Sequence, residues 1–574
     1  MIKKTVWIAG LLIGTLGANA QSLIIKNTNI VDVEAGKILG NRTVLISDGT
    51  IKSISRTKVR AQAADNVIDG TDTYLMPGMI DTHIHFFQTG SLYTRPDAMD
   101  FRKTRPYEDE IEYAKASLPE VFKRYLRLGV TTVMDVGGPF YNFTIRDSIA
   151  KEYDSPNIYL TGPLFSPYQP SEFSALKDAP ILKITTKQEA TKLFEKMMAY
   201  RPDFIKVWYV AGANLPAEKN FELVAHIAKL THDQNLKILV HATQMHTAEL
   251  AIKAGADVLV HSVDDQIVSP ALIRMLKEHQ VAYVPTLLVH SNYHKAFLGQ
   301  PDNHPHDLSY GDPKVYGTLT DVLGIQQNNT PDRLERFKKS KDVIVHDALK
   351  KDSIMASNLK VLLENNIRVA TGTDAGNIGT LHASSYLQEL EAMQKAGMEP
   401  KQIIKASTIN AAIAFGLEDE IGSIEKGKKA DLLLLKENPM EDLDHLNTIV
   451  AVLKDGEVIG ISELIKESPE QVVQRQLNAY NARDIDAFMA TYADDIKLFD
   501  YPDTLTSSDR KKMYEGYRAM FANTPNLYCK VQERIVLGNK VIDKEFVRFG
   551  ENFLEAIAIY EVIDGKITKV TFIK

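Results

Sequence analysis

Between residues 22 and 75, apolar and polar positions alternate in short runs: Leu23-Ile24-Ile25, Thr43-Val44-Leu45-Ile46, Ile51-Lys52-Ser53-Ile54 and Asn66-Val67-Ile68. The turn dipeptides Asp48-Gly49 and Asp69-Gly70 punctuate them. A period of two bounded by such turns predicts a meander of antiparallel strands. The same texture returns at 420–461, in Ala430-Asp431-Leu432-Leu433-Leu434-Leu435 and around Val450-Ala451-Val452-Leu453. Two strand-rich pieces flanking a long middle predict one small β-sandwich built from both ends of a larger unit.

In the middle, 76–419, apolar strand-length runs alternate with helical stretches, which is the pattern of repeated βα units. Eight runs stand out, at 79–85, 130–136, 157–161, 204–209, 238–242, 258–263, 282–287 and 368–373. Eight parallel strands over this length predict an α/β fold of the (β/α)8 TIM-barrel type. A doubly wound open sheet competes, but no Gly-rich phosphate fingerprint follows the first run. Residues 290–342 begin rich in Pro, Asn, Asp and Gly and read as a loop plus helix over the barrel mouth, a candidate lid.

The texture changes again at 466–574. Ser468-Pro469-Glu470 is a helix start, with Val472, Val473, Leu477 and Tyr480 following at helical spacing. Ile485, Phe488, Met489 and Tyr492 mark a second helix, and strand-like runs at 530–536, 540–549, 556–563 and 567–573 complete a separate α+β domain. At the other end, residues 1–20 carry the charged, apolar and small-residue regions of a secretory signal peptide. They predict an exported protein, secreted or periplasmic, whose mature chain starts near Gln21. No later run is long and apolar enough for a membrane span.

Composition narrows the chemistry. A formal net charge of −7, with no basic stretch interleaved with aromatics, gives nucleic-acid binding no support. The single cysteine, Cys529, can form neither an intramolecular disulfide nor a thiolate metal cluster. Metal chemistry must therefore use His, Asp, Glu or Lys. His83-Ile84-His85 closes the first run, and two residues apart on a strand both imidazoles face one side and can meet one ion. His241 closes the fifth run, His261 lies at the end of the sixth, Asp374 follows the eighth, and Lys206 lies in the fourth. In a barrel these strand ends converge. Lys206, buried beside a metal, would be driven neutral and could add carbon dioxide to give a carbamate that bridges two ions. Pairing with an acidic neighbour is its other reading.

The segments Pro77-Gly78-Met79-Ile80-Asp81-Thr82-His83-Ile84-His85, Gly129-Val130-Thr131-Thr132-Val133, Asp203-Phe204-Ile205-Lys206, Thr373-Asp374 and Gly422-Ser423-Ile424-Glu425-Lys426-Gly427, with the spacing of His241 and His261, resemble the metal-dependent amidohydrolase superfamily. More narrowly, the chain is similar to the imidazolonepropionase-like branch that includes Xaa-Pro and Xaa-Arg dipeptidases. The resemblance implies a sandwich plus barrel and hydrolysis by metal-bound hydroxide. It also implies that His83, His85 and Asp374 bind the more buried metal, that His241 and His261 bind the second, and that Lys206 is the carbamate bridge. Imidazolonepropionases themselves use one metal and lack the bridging lysine, so Lys206 points toward two-metal members. Two divalent ions are expected, with zinc the default among ions that accept these ligands.

Asp374 is then the proton shuttle between nucleophile and leaving amine. Tyr209 is a candidate oxyanion donor, and His246 and His382 are candidate substrate contacts. Arg95 reads as a solvated loop arginine, with pairing to a substrate carboxylate as its alternative. Residues 466–574 resemble the SnoaL-like, ketosteroid-isomerase-like cone fold, in which Asp500 could serve as an isomerase-type base. That domain is read as an accessory or dimerising module, so a homodimer is a possible assembly. The expected function is cleavage of a carbon–nitrogen bond in a small amide, dipeptide or N-acyl amino acid. An esterase, lactonase or phosphotriesterase using the same site is the rival, and a non-catalytic binding protein working through the cone domain is the rival from another class.

Overall fold

The computed structural model describes residues 22–56, 66–149, 154–212, 215–524 and 526–573, so the expected signal segment lies outside the described residues. The two flanking strand-rich pieces meet as expected but form one continuous sheet. Its order runs Glu457–Gly460, Ile449–Lys454, Leu432–Leu435, Tyr74–Pro77, Leu23–Asp32, Lys37–Ser47, Thr50–Ser55, with Asn66–Asp69 also paired to Leu23–Asp32. The seam is the antiparallel pairing of Leu432–Leu435 with Tyr74–Pro77. All four leucines there are buried because both faces of the strand are covered. Leu432 and Leu434 join the sheet's own core with Leu23 and Ile25, while Leu433 and Leu435 join the barrel core with Met76 and Val31. Such a strand reads as a continuous apolar run rather than an alternating one.

The middle of the chain is a TIM-barrel-like α/β unit. Met79–Ile84, Val130–Asp135 and Asn157–Leu160 pair in parallel. Leu164–Ser166, Ile205–Val207, Ile238–His241, Val258–Val260 and Ala282–Val284 continue the parallel order. The third expected strand is thus broken. Its lower half pairs with the second strand and its upper half, beyond Gly162-Pro163, with the fourth. The eighth run is irregular, yet its backbone bonds both neighbours: Ala370 N to Tyr283 O at 3.0 Å and Thr82 N to Thr371 O at 3.0 Å.

The stretch 290–342 is more helical than the expected loop and lid. It holds Val289–Leu298, Pro305–Tyr310, Pro313–Thr318 and Asp332–Lys339, over a core of Phe101, Phe297, Tyr316, Leu334 and Phe337. The prolines and Asp312 that suggested a loop are helix starts, with Pro at the first position and the Asp312 side chain accepting from Lys314 N and Val315 N.

The C-terminal region is β-rich, with three helices, Pro469–Ala482, Ile485–Ala490 and Arg510–Asn523, beside a six-stranded sheet. The first helix opens on the expected capping box of Ser468 and Gln471. Its Arg475 donates to the carbonyls of Leu308 and Gly311, and its Asn478 to that of Pro313, which ties this region to the helical insert. No helix among the described residues is long and apolar enough to cross a membrane.

Candidate metal centre

His83, His85, Lys206, His241, His261 and Asp374 come from five strand ends and line one cavity of about 240 Å³. The rings of His83 and His261 lie 4.8 Å apart, those of His241 and His261 4.5 Å, and those of His83 and His85 5.3 Å. Asp374 Oδ1 is 3.2 Å from His83 Nε2 and 3.1 Å from His85 Nε2. His261 and Asp374 both adopt left-handed backbone, with φ of 76° and 61°. Non-glycine residues held there cost roughly 1–3 kcal/mol, a strain that concentrates at functional sites.

The donor set fits a cation. Both ring nitrogens of His83 are buried; Nε2 meets only the Asp374 carboxylate at 3.2 Å and Nδ1 meets no partner among the described residues, and a buried polar group that nothing meets costs about 1–3 kcal/mol. His85 is oriented by its Nδ1, 2.8 Å from Gly137 O, which leaves Nε2 facing Asp374. His261 Nδ1 lies 2.8 Å from the Thr286 hydroxyl. Burial, aided by the Lys206 charge, pushes His83 and His241 down to about 3, and burial holds His261 well below its usual value. These imidazoles are therefore neutral at working pH, as ligands must be. Burial would raise Asp374, but its contacts with His83 and His85 hold it well below its usual value, as a carboxylate. Burial also brings Lys206 down to about 7, and among the described residues no side-chain partner reaches its Nζ.

A second layer fixes Asp374. Asp81, fully buried, accepts from the Thr373 hydroxyl at 2.7 Å and from the Thr373 and His83 backbones. Asn377 Nδ2 donates to Asp374 Oδ1 at 2.7 Å, and the Asn377 carbonyl accepts from Tyr293 OH and Arg95 Nη1 at 2.6 and 2.5 Å. Arg95 is clamped by Asp97 through two bonds of 2.7 and 2.6 Å. It is a structural member of the site, not a solvated loop arginine. Nothing in the loop 86–106 alone marked that chain of contacts.

Three expected substrate contacts lie elsewhere. Tyr209 is buried and donates its hydroxyl to Ala217 O at 2.6 Å. His382 has both ring nitrogens engaged, by Tyr125 OH at 3.0 Å and Gln88 O at 2.9 Å, below the cavity. His246 is exposed and paired with Glu218 at 2.7 Å. Trp208 lines the cavity in place of Tyr209, its ring 6.3 Å from that of His241. The signal was the strand period: if Lys206 points inward, so does 208 and not 209. The cavity opens on a vestibule of about 710 Å³ walled by Tyr168, Tyr293, Phe297 and Phe337, with Arg333 and Arg336 on its rim. In the C-terminal region, Asp500 ends the strand Tyr492–Asp500 and lines no cavity described here.

Metal-ready strand ends on a barrel define a class, and comparison with known proteins identifies it. The amidohydrolase family model matches residues 74–461, so the chain belongs to the amidohydrolase family and is an enzyme of it. A SnoaL-like domain model matches residues 473–570. The chain is 22% identical to the imidazolonepropionase of Clostridium tetani over 468 residues, 75% of this chain and 93% of that one. With the imidazolonepropionase of Thermoanaerobacter pseudethanolicus the match is 36% but local, over 110 residues, 18% of this chain and 26% of that one. Among solved structures, a Xaa-Pro dipeptidase with bound methionine in the active site superposes with a TM-score of 0.58 at 21% identity, covering 77% of this chain and all of the other. At that identity the likeness speaks for the fold alone.

Proposed function

We propose that the chain is an exported, two-metal amidohydrolase that cleaves a carbon–nitrogen bond in a small amide, with dipeptides and N-acyl amino acids the favoured substrates. The observation that carries this is the convergence of His83, His85, His241, His261 and Asp374 on one buried cavity, with the Asp374 carboxylate 3.2 and 3.1 Å from His83 and His85, beside a lysine that burial brings down to about 7. In this reading His83, His85 and Asp374 would hold one ion, His241 and His261 would hold the other, and Lys206 would serve both as its carbamate. When bound, divalent ions, zinc by default, supply a water of lowered pKa and polarise the scissile carbonyl.

In this proposal the proton is handled by the protein's own side chains. Asp374 holds the nucleophile's proton and passes it to the leaving nitrogen, and Asn377, backed by Tyr293 and Arg95, keeps its carboxylate aimed. Trp208, His290 and Tyr293 bound both the cavity and the vestibule, so they flank the path of a substrate. The relatives' names support a C–N substrate, and the second domain adds nothing the barrel lacks for that reaction. We further read the unit boundaries as 22–75 with 420–461, 76–419 and 466–574, and the N-terminal segment as a removable signal whose loss leaves a mature chain starting near Gln21.

Metal analysis of the purified protein with a library of amides, dipeptides and N-acyl amino acids tests the proposal. About two equivalents of divalent metal are expected, with hydrolysis lost in His83→Ala. Hydrolysis unchanged in His83→Ala, or a folded wild type that takes up no divalent metal, would sink it.

A further inference from the structure

Outside the barrel centre the chain carries a second pair of histidines two residues apart. His304 and His306 flank Pro305 at the start of the helix Pro305–Tyr310, in the insert. Facing them is Glu391, on the helix Ser384–Lys395 that follows the last barrel strand. Glu391 Oε2 lies 3.1 Å from His304 Nε2, and its Oε1 lies 3.2 Å from His306 Nε2. The two rings are 5.0 Å apart, and the three ligand atoms all fall within 4.8 Å of one another. These spacings repeat those of the barrel centre, where Asp374 is 3.2 and 3.1 Å from His83 and His85.

Donors about 2.1 Å from a tetrahedral zinc stand roughly 3.4 Å from one another. Both nitrogen–oxygen pairs are already close to that spacing. Two imidazoles and one glutamate make a three-ligand set, to which water adds the fourth position. The side chains of His304, His306 and Glu391 are 22, 15 and 29% exposed, so an ion and its water can reach them from solvent. Imidazole ligands select zinc or copper over magnesium or calcium.

The two elements are already fastened beside the site. Asp307, next to His306, is buried and accepts from the Ser384 hydroxyl at 2.5 Å. Pro305 fixes the backbone between the two histidines. One bond opposes metal binding. The His306 amide donates to His304 Nδ1 at 3.3 Å, and an ion on Nε2 would put the ring proton on that nitrogen. Lys395, 3.7 Å from Glu391 Oε2, is 78% exposed and can swing into solvent. These costs place the affinity in the micromolar range.

We propose that His304, His306 and Glu391 form a further divalent transition-metal site, of the zinc type, that fastens the insert to the barrel. None of the three belongs to the barrel centre. The insert they would fasten carries Phe297, Arg333 and Phe337 on the wall of the vestibule.

The full-length protein with its barrel centre zinc-loaded, dialysed to equilibrium against rising free zinc, tests this. The wild type should take up about one equivalent more than Glu391→Gln or His306→Gln, saturating in the micromolar range. Affinity in each variant should fall by more than about 100-fold, the upper end for partners that merely support a ligand. The two substitutions lie on separate elements, so one serves should the other not fold. Zinc should also slow hydrogen exchange in the helix Pro305–Tyr310 of the wild type and not of Glu391→Gln. Equal uptake by the wild type and a folded variant would overturn the proposal, as would uptake that does not saturate below millimolar zinc. Uptake without slowed exchange would overturn the fastening. The difference between wild type and variant counts this site alone, so its failure leaves the barrel's assignment standing and the reverse holds too.

Discussion

The two cavities of this chain are built on opposite principles. In the barrel, six polar side chains from five strand ends are driven together, and several left-handed or unsatisfied positions are tolerated to hold them. In the C-terminal domain a single buried acid sits in an apolar wall and is satisfied on one side by a tyrosine. A site made of crowded, mutually dependent ligands makes sense only if something positively charged completes it. A mostly apolar wall with one acid and scattered hydroxyls makes no such demand. The same burial acts on both sites in opposite senses, lowering the Lys206 ammonium to about 7 and raising the Glu545 carboxyl to about 7, so each is biased toward its uncharged form.

That contrast breaks first at Asp374. Asp374→Asn keeps the shape and the Asn377 neighbour but removes the charge and the proton acceptor, so kcat should fall by at least about 10³-fold with far-UV circular dichroism unchanged. A loss below tenfold would mean that the barrel centre does not use this carboxylate. Lys206→Met should cost about 10²-fold and reduce bound metal to about one equivalent, with partial recovery in added acetate if a carboxylate bridge is what was lost. Full activity with two metals retained would return Lys206 to a packing role.

In the other cavity the effect is on stability. Glu545 has a folded pKa of about 7, raised above that of an unfolded glutamate. Below pH 4 both states are protonated and the folded state keeps its full advantage. As pH climbs toward 7 the unfolded chain releases a proton that the folded chain retains, and up to about 3 kcal/mol of stability is lost. Glu545→Gln removes that slope. The groups that also face this position, Asp543, Arg534 and Tyr560, are unaltered in the variant, so the difference between two urea titrations, at pH 4.5 and pH 7.5, isolates Glu545. Parallel curves for wild type and variant would show that Glu545 is ionised and that the contrast between the cavities is weaker than drawn.

How much of this was legible beforehand follows from which interactions are local. The alternating runs, the helix start at Ser468 and the paired residues of the His83–His85 strand carry their signal within a few positions, and each is found where its period puts it. The broken third strand carried none, because Leu164–Ser166 is three residues long and follows Gly162-Pro163. The Asp97–Arg95–Asn377–Asp374 chain joins residues up to 282 positions apart, a distance no periodicity spans. The insert was misread for a different reason. Pro305 and Pro313 are ambiguous between loop and helix start until the buried Leu308, Val315 and Tyr316 behind them are seen to share one core.

Tyr209 gives the smallest effect and the sharpest test of the strand parity. The sequence placed its hydroxyl at the mouth as an oxyanion donor, whereas the structure turns it outward to Ala217 O and brings Trp208 in. Removing the hydroxyl in Tyr209→Phe should therefore leave kcat and KM within about twofold of the wild type while lowering stability by about 1 kcal/mol, the net worth of one buried hydrogen bond. An oxyanion donor would behave the other way, losing about 10²-fold in kcat with little change in melting temperature. Trp208→Ala supplies the counterpart, since a ring that flanks the substrate path should raise KM when removed. If Tyr209→Phe lost catalysis and Trp208→Ala did not, the inward parity of 206 and 208 would be wrong, and Lys206 would lose its place in the centre along with it.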